Sequence, residues 1–201
     1  MMETNMKQPR ITRDSLMTLE AYAKARPEFR KRVIEHKKLR TLSLGDHVTL
    51  MFEDELTVRY QIQEMLRIEK IFDEEGILHE LESYSPLVPD GNNFKATMMI
   101  EYADPAERKH ALSQLIGVED KVWVQVEGSP RVYAIADEDL DRENDEKTSS
   151  VHFLRFELTK DMREALKYGV TLSVGIDHDH YRAMINPLPA ANRDALVADL
   201  S

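Results

Sequence analysis

A chain of 201 residues with 42% hydrophobic residues can bury a core without covalent staples. Its formal net charge of −10 opposes general binding to DNA or RNA, and the absence of cysteine excludes disulfides, thiolate nucleophiles and any cysteine-ligated zinc or iron–sulfur centre. No apolar stretch follows Met1 as a leader would, and no window approaches the roughly 20 apolar residues of a membrane span, so the expected location is cytoplasmic.

Residues 1–10 are expected to form a flexible tail and 11–88 a helical region. Thr12 caps a first helix with Leu16, Leu19, Tyr22 and Ala23 on one side. Pro27 then restarts the chain at the first turn of a second helix carrying Phe29, Val33 and Ile34. The basic side chains between Lys24 and Arg40 form a solvated face, with docking of an acidic partner as the alternative. Val48-Thr49-Leu50-Met51-Phe52 is a short strand or the lead into the longest helix, which the spacing of Val58, Ile62, Met65, Ile68 and Phe72 places over Asp54 to Glu75, with Gly76 as its cap. On that helix Gln63, Glu64 and Arg67 make a candidate ligand-binding group, since Glu64 and Arg67 are three apart and share a face. The plainer reading is an ordinary surface pair. A further helix over Ile77 to Tyr84 ends at Ser85-Pro86, and Pro89-Asp90-Gly91-Asn92 is a turn that closes the helical half.

From 89 to 186 strands alternate with helices. The order is strand Lys95 to Tyr102, helix Pro105 to Ile116, strand Lys121 to Glu127 and strand Arg131 to Ala136. Asp104, Pro105 and Glu107 supply the cap, first-turn proline and acid of that helix, and Glu127-Gly128-Ser129-Pro130 joins the next two strands in a hairpin. Asp137 to Ser149 is acidic and aperiodic, a mobile loop able to approach a site. Strand Ser150 to Leu158, helix Lys160 to Tyr168 and strand Thr171 to Asp177 follow, and 187–201 forms a helical tail that packs on the body through Ala195, Leu196 and Leu200. The expected fold class is α+β, a helical N-terminal half packed with a mostly antiparallel sheet of ferredoxin-like, split β-α-β character.

Two histidines stand out. By two-residue periodicity His152 aligns with Leu154, Phe156 and Leu158, and His178 with Leu172, Val174 and Ile176, so both face inward. If their strands are neighbours, His152 and His178 become metal ligands, and Glu64 from the long helix is the named third. The competing reading is a structural pair, each ring satisfied by hydrogen bonds. Isolated glycines without a following lysine exclude a phosphate-cradling loop, and no serine sits in a nucleophile elbow.

The blocks Arg26-Pro27-Glu28-Phe29-Arg30, Tyr60 to Glu69, Pro89-Asp90-Gly91 and Glu146 to Phe156 make the chain resemble, from Ile11 to Tyr181, a bacterial family catalogued as domain of unknown function 3501. The resemblance places Gln63, Glu64, Arg67, His152, Asp177 and His178 in recognisable blocks and carries no established reaction. It also implies gene neighbours similar to rubrerythrins and iron–sulfur oxidoreductase subunits. The function expected on this basis is a non-haem accessory or enzyme holding iron, zinc or manganese in iron- or peroxide-related redox physiology, with a redox-protein partner; separately, a free edge of the sheet makes a homodimer the expected state. The alternative is a non-catalytic protein- or small-ligand-binding partner of a redox assembly.

Overall fold

The computed structural model describes residues 11–138 and 147–201. The expected tail over 1–10 and most of the expected acidic loop therefore lie outside the described residues. The first regular helix, α1 (Leu19–Lys38), is capped by Thr18, whose hydroxyl accepts from the Ala21 N–H. Thr12 instead opens a short 3-10 turn over Arg13–Ser15. α1 runs unbroken through Pro27, contrary to the expected restart. A proline inside a helix removes one backbone hydrogen bond; here buried Tyr22 on one side of it, and Phe29 and Val33 on the other, pack into a single cluster with Leu56 and Tyr60, so tertiary contact keeps the two halves collinear.

β1 (Thr41–Leu44) and β2 (Val48–Phe52) form a hairpin. Gly45 turns it with φ +69°, and a Cβ there would lie 2.6 Å from the Tyr181 hydroxyl. The predicted long helix is two helices. α2 (Glu55–Ile68) begins with a reciprocal capping box between Asp54 and Thr57, and beyond it Lys70 adopts φ +56°. α3 (Glu74–Tyr84) starts afresh because the Asp73 carboxylate accepts from the Gly76 N–H, so Gly76 lies in its first turn rather than capping α2.

The second half contains β3 (Asn93–Ile100), α4 (Pro105–Gln114), β4 (Val122–Val126), β5 (Val132–Tyr133), β6 (Ile135–Ala136), β7 (Val151–Glu157), α5 (Lys160–Lys167), β8 (Leu172–His178), β9 (Tyr181–Ile185) and α6 (Ala190–Val197). β9 extends the second sheet beyond the strand read over Thr171 to Asp177. A five-stranded sheet has the order β1-β2-β3-β7-β6, and a four-stranded sheet the order β5-β4-β8-β9. Every pairing is antiparallel.

The fold is therefore α+β with antiparallel sheets, but not the split β-α-β sandwich that the strand–helix–strand order suggested. A split β-α-β unit returns its second strand to the sheet of the first. Here α4 leads from β3 in one sheet to β4 in the other, and α5 from β7 to β8. Both sheets contribute to one core, Leu50, Met98 and Phe156 meeting Val124, Val174 and Ile176. β8 is buried from Leu172 to Ile176, on both faces, and Gly175 stands opposite Trp123 where any Cβ would collide with the indole. The C-terminal segment packs on the body as expected: Leu196 and Leu200 join the core, while buried Arg40 donates to the Ala195 carbonyl and pairs with Asp199.

Candidate metal centre

His152 is fully buried on β7, opposite Met98 of β3. Its surroundings come from three separate segments. Asp137, just after β6, has φ +49°, a conformation uncommon for a residue with a side chain. One backbone and one side-chain bond to Phe153 hold it there, the Asp137 N–H donating to the Phe153 carbonyl at 2.8 Å and Asp137 Oδ1 accepting from the Phe153 N–H at 2.9 Å. That leaves Asp137 Oδ2 at 2.5 Å from His152 Nδ1.

On the far side of the ring Nε2 lies 2.9 Å from Thr148 Oγ1 and 3.0 Å from the Ser149 carbonyl. Glu119, on the 3-10 turn Glu119–Lys121 that precedes β4, brings Oε2 to 3.9 Å from Nε2 and accepts from the Thr148 hydroxyl at 3.4 Å. Thr148 is itself anchored by its N–H to the Leu112 carbonyl of α4. A carbonyl only accepts, and an ionised carboxylate only accepts. The imidazole thus meets an oxygen acceptor at each nitrogen, Asp137 Oδ2 at Nδ1 and the Ser149 carbonyl at Nε2.

Donor atoms of Glu119, Asp137 and His152 all lie within 4.8 Å of one another, and among the described residues this is the one group of three or more such side chains that could hold an ion. Metal–ligand bonds of about 2.1 Å place opposite ligands about 4.2 Å apart. Glu119 Oε2, at 3.9 Å from Nε2, is within that span, whereas Asp137 Oδ2, at 2.5 Å from Nδ1, is at hydrogen-bonding distance on the other side of the ring. The arrangement also has the form in which a ligating histidine gives its second N–H to a carboxylate, here Asp137, while the opposite nitrogen faces the ion.

The expected set of His152, His178 and Glu64 is not brought together. His178 ends β8 in the other sheet; its Nε2 donates to the Ile116 carbonyl at 3.1 Å and its Nδ1 accepts from the His180 N–H at 3.2 Å. Both ring positions are satisfied by backbone. Glu64 stands in the helical half, where Tyr22 donates at 2.7 Å, Arg26 donates through two nitrogens at 2.7 and 2.9 Å, and Arg67 adds longer bonds. The Arg26 hydrogen bonds hold the Glu64 carboxyl down at about 2, against the opposing effect of burial. Burial, and then the hydrogen bond to this carboxylate, push the Tyr22 hydroxyl well above the usual phenol range.

The proposed ligand-binding trio of Gln63, Glu64 and Arg67 resolves into internal ties. Gln63 is buried and clasps the backbone of Met17, accepting at 2.7 Å and donating at 3.3 Å. Arg67 and Glu64 are partners of each other. Sequence reasoning named neither Glu119 nor Asp137 as a ligand, although it read the acidic segment that starts at Asp137 as able to approach a site. Glu119 falls between the helix read to Ile116 and the strand read from Lys121 and carries no periodic signal, and Asp137 opens an acidic run; its left-handed turn and its contact with the buried imidazole are features of the tertiary structure.

Comparison with known proteins adds a family. The profile described as Protein of unknown function (DUF3501) matches residues 10–200. The chain belongs to that family. Its fold is similar to the crystal structure of a novel protein of unknown function from Burkholderia pseudomallei K96243, with 55% sequence identity, a TM-score of 0.91, and coverage of 95% of this chain and 99% of that one. No curated protein matches. Among the described residues no helix is long and apolar enough to cross a membrane.

Proposed function

We propose that this protein holds a divalent transition-metal ion at His152 Nε2 and Glu119, with Asp137 as the carboxylate that orients the imidazole from Nδ1, and acts as a non-haem metal-binding accessory or enzyme in iron- or peroxide-related redox physiology. The observation that carries the reading is the convergence of the three side chains in the interior from segments far apart in sequence. Buried carboxylates need a compensating cation, and an imidazole that exchanges its proton for a metal allows that compensation to come from an ion. One nitrogen with carboxylate oxygens and no sulfur suits iron, manganese or zinc over soft-ligand metals. A bound ion would supply Lewis acidity, and iron or manganese would add one-electron redox capacity. The protein's contribution is then to fix the imidazole through Asp137 and to keep the Thr148 hydroxyl beside Nε2. The redox setting, and a redox-protein partner in the cytoplasm, rest on the gene neighbourhood that the family resemblance implies.

The test is elemental analysis of untagged protein after anaerobic loading with Fe(II) and desalting, compared with Mn(II) and Zn(II). About one equivalent should remain on wild-type protein and on His178→Ala, and be lost from folded His152→Ala and Glu119→Gln. Absence of metal from loaded wild-type protein, or retention by His152→Ala, overturns the proposal.

A further inference from the structure

A cleft of about 550 Å³ opens between the end of α3 and the outer face of the first sheet, within the size range of small-molecule sites. Its walls are largely apolar. Tyr84 and Leu87 line one side, and Phe153 of β7 the other. The polar groups among these walls are unequally satisfied. Lys95 of β3 and Arg155 of β7 are directly paired across the two strands. Arg155 is neutralised by Glu138, which accepts two bonds of 2.7 Å, and by Glu157. Lys95 has no ion-pair partner among the described residues, and its Nζ donates to the neutral carbonyl of Pro86.

We propose that this cleft binds a small organic monoanion, with a carboxylate head at Lys95 and an apolar body against Tyr84, Leu87 and Phe153. A half-buried ammonium facing an apolar cavity is poorly solvated, and a carboxylate beside it forms a charge-assisted hydrogen bond while the apolar body removes the walls from water. Burial also pushes the Lys95 amine below the usual lysine range, a cost that an anionic ligand relieves. Glu82 and Glu138 line the same cleft, so a second negative charge on the ligand meets like charge rather than a further cation. That pattern selects monocarboxylates over phosphates and dicarboxylates. β7 turns Phe153 and Arg155 to this cleft and His152 to the interior, so the proposal stands without an ion at the buried cluster.

Isothermal titration calorimetry on the full chain, using octanoate, octan-1-ol, suberate and inorganic phosphate, tests the assignment. Octanoate should bind wild-type protein, weaken about tenfold or more in Lys95→Met, and recover in Lys95→Arg. Leu87→Trp, which fills the cleft and leaves its charges in place, should weaken octanoate comparably while thermal unfolding reports a folded protein. Failure of octanoate to bind wild-type protein overturns the proposal, as does unchanged binding by folded Lys95→Met. Octanol binding as tightly as octanoate removes the role of the charge, and tighter suberate or phosphate removes the monoanion. If Lys95→Met does not fold, unchanged octanoate binding by Leu87→Trp is the overturning result.

Discussion

Glu64 and Glu119 are both shielded carboxylates at the centre of polar clusters, and their neighbours give them opposite capacities. Glu64 faces Arg26 and Arg67, permanent cations whose planar donors match a carboxylate, together with the Tyr22 hydroxyl. That set is complete as a salt bridge and has no reason to accept an ion. Glu119 shares its space with a second carboxylate, Asp137, and with an imidazole and a threonine hydroxyl. An imidazole can surrender its proton and become a ligand, which a guanidinium cannot. The residue type opposite the carboxylate, more than the carboxylate itself, separates a structural tie from a metal site.

The largest effect that would sharpen this contrast is on stability at the buried cluster. His152→Ala leaves Asp137 and Glu119 in the interior without the ring between them, and should cost about 3–5 kcal/mol in denaturant unfolding. A loss below about 1 kcal/mol would show that the cluster is not electrostatically coupled. Glu64→Ala strands the buried Tyr22 hydroxyl and should cost about 1–3 kcal/mol while leaving metal loading unchanged. Loss of metal in that variant would break the distinction between the two clusters.

Acid separates them further. The folded-state pKa of Glu64 is depressed, so its stabilising contribution is complete above the ordinary carboxylate range and is lost as pH falls through that range toward about 2. Metal affinity at His152 declines on acidification because protons compete for the ligand nitrogen and carboxylate. A pH titration of bound Fe(II), followed beside the unfolding midpoint, should therefore show metal release before the Glu64 contribution disappears; simultaneous loss would argue that one event controls both.

The smallest expected effect lies at Glu53. Burial raises its pKa, with the Thr57 and Thr97 hydroxyls donating to it and opposing the rise. A raised carboxyl pKa means that the folded state favours the protonated form, so this group stabilises progressively as pH falls and costs stability when ionised at neutral pH. Glu53→Gln keeps an acceptor for a threonine hydroxyl and removes the charge, and should stabilise by up to about 1 kcal/mol at pH 7, with the gain shrinking in acid. A clear destabilisation at pH 7 would show that the carboxylate is needed ionised.

Local chemistry made much of the fold legible. Asp104, Pro105 and Glu107 start α4 as read, and the alternation around His152 and His178 placed both side chains inward. Pairing was less legible. β-α-β order is compatible with one sheet or with two, and the choice rests on which strands find antiparallel neighbours distant in sequence, β3 with β7 and β4 with β8. The same non-local pairing took His178 to a different sheet and delivered Asp137, whose carboxylate meets His152 only because bonds to Phe153 turn it inward.

The sequence by itself determined an α+β protein without cysteine chemistry, its main turns and caps, and one residue of the candidate centre, His152. These follow from periodicity and from residue-specific backbone preferences, which act over a few neighbours. Tertiary structure alone decided that α1 continues through Pro27, that the sheets are two, and that Glu119 and Asp137 rather than Glu64 and His178 stand beside His152. The physical reason is range: a capping bond is encoded within one turn of chain, whereas the partners of a buried charge are set by how distant strands and turns pack around it.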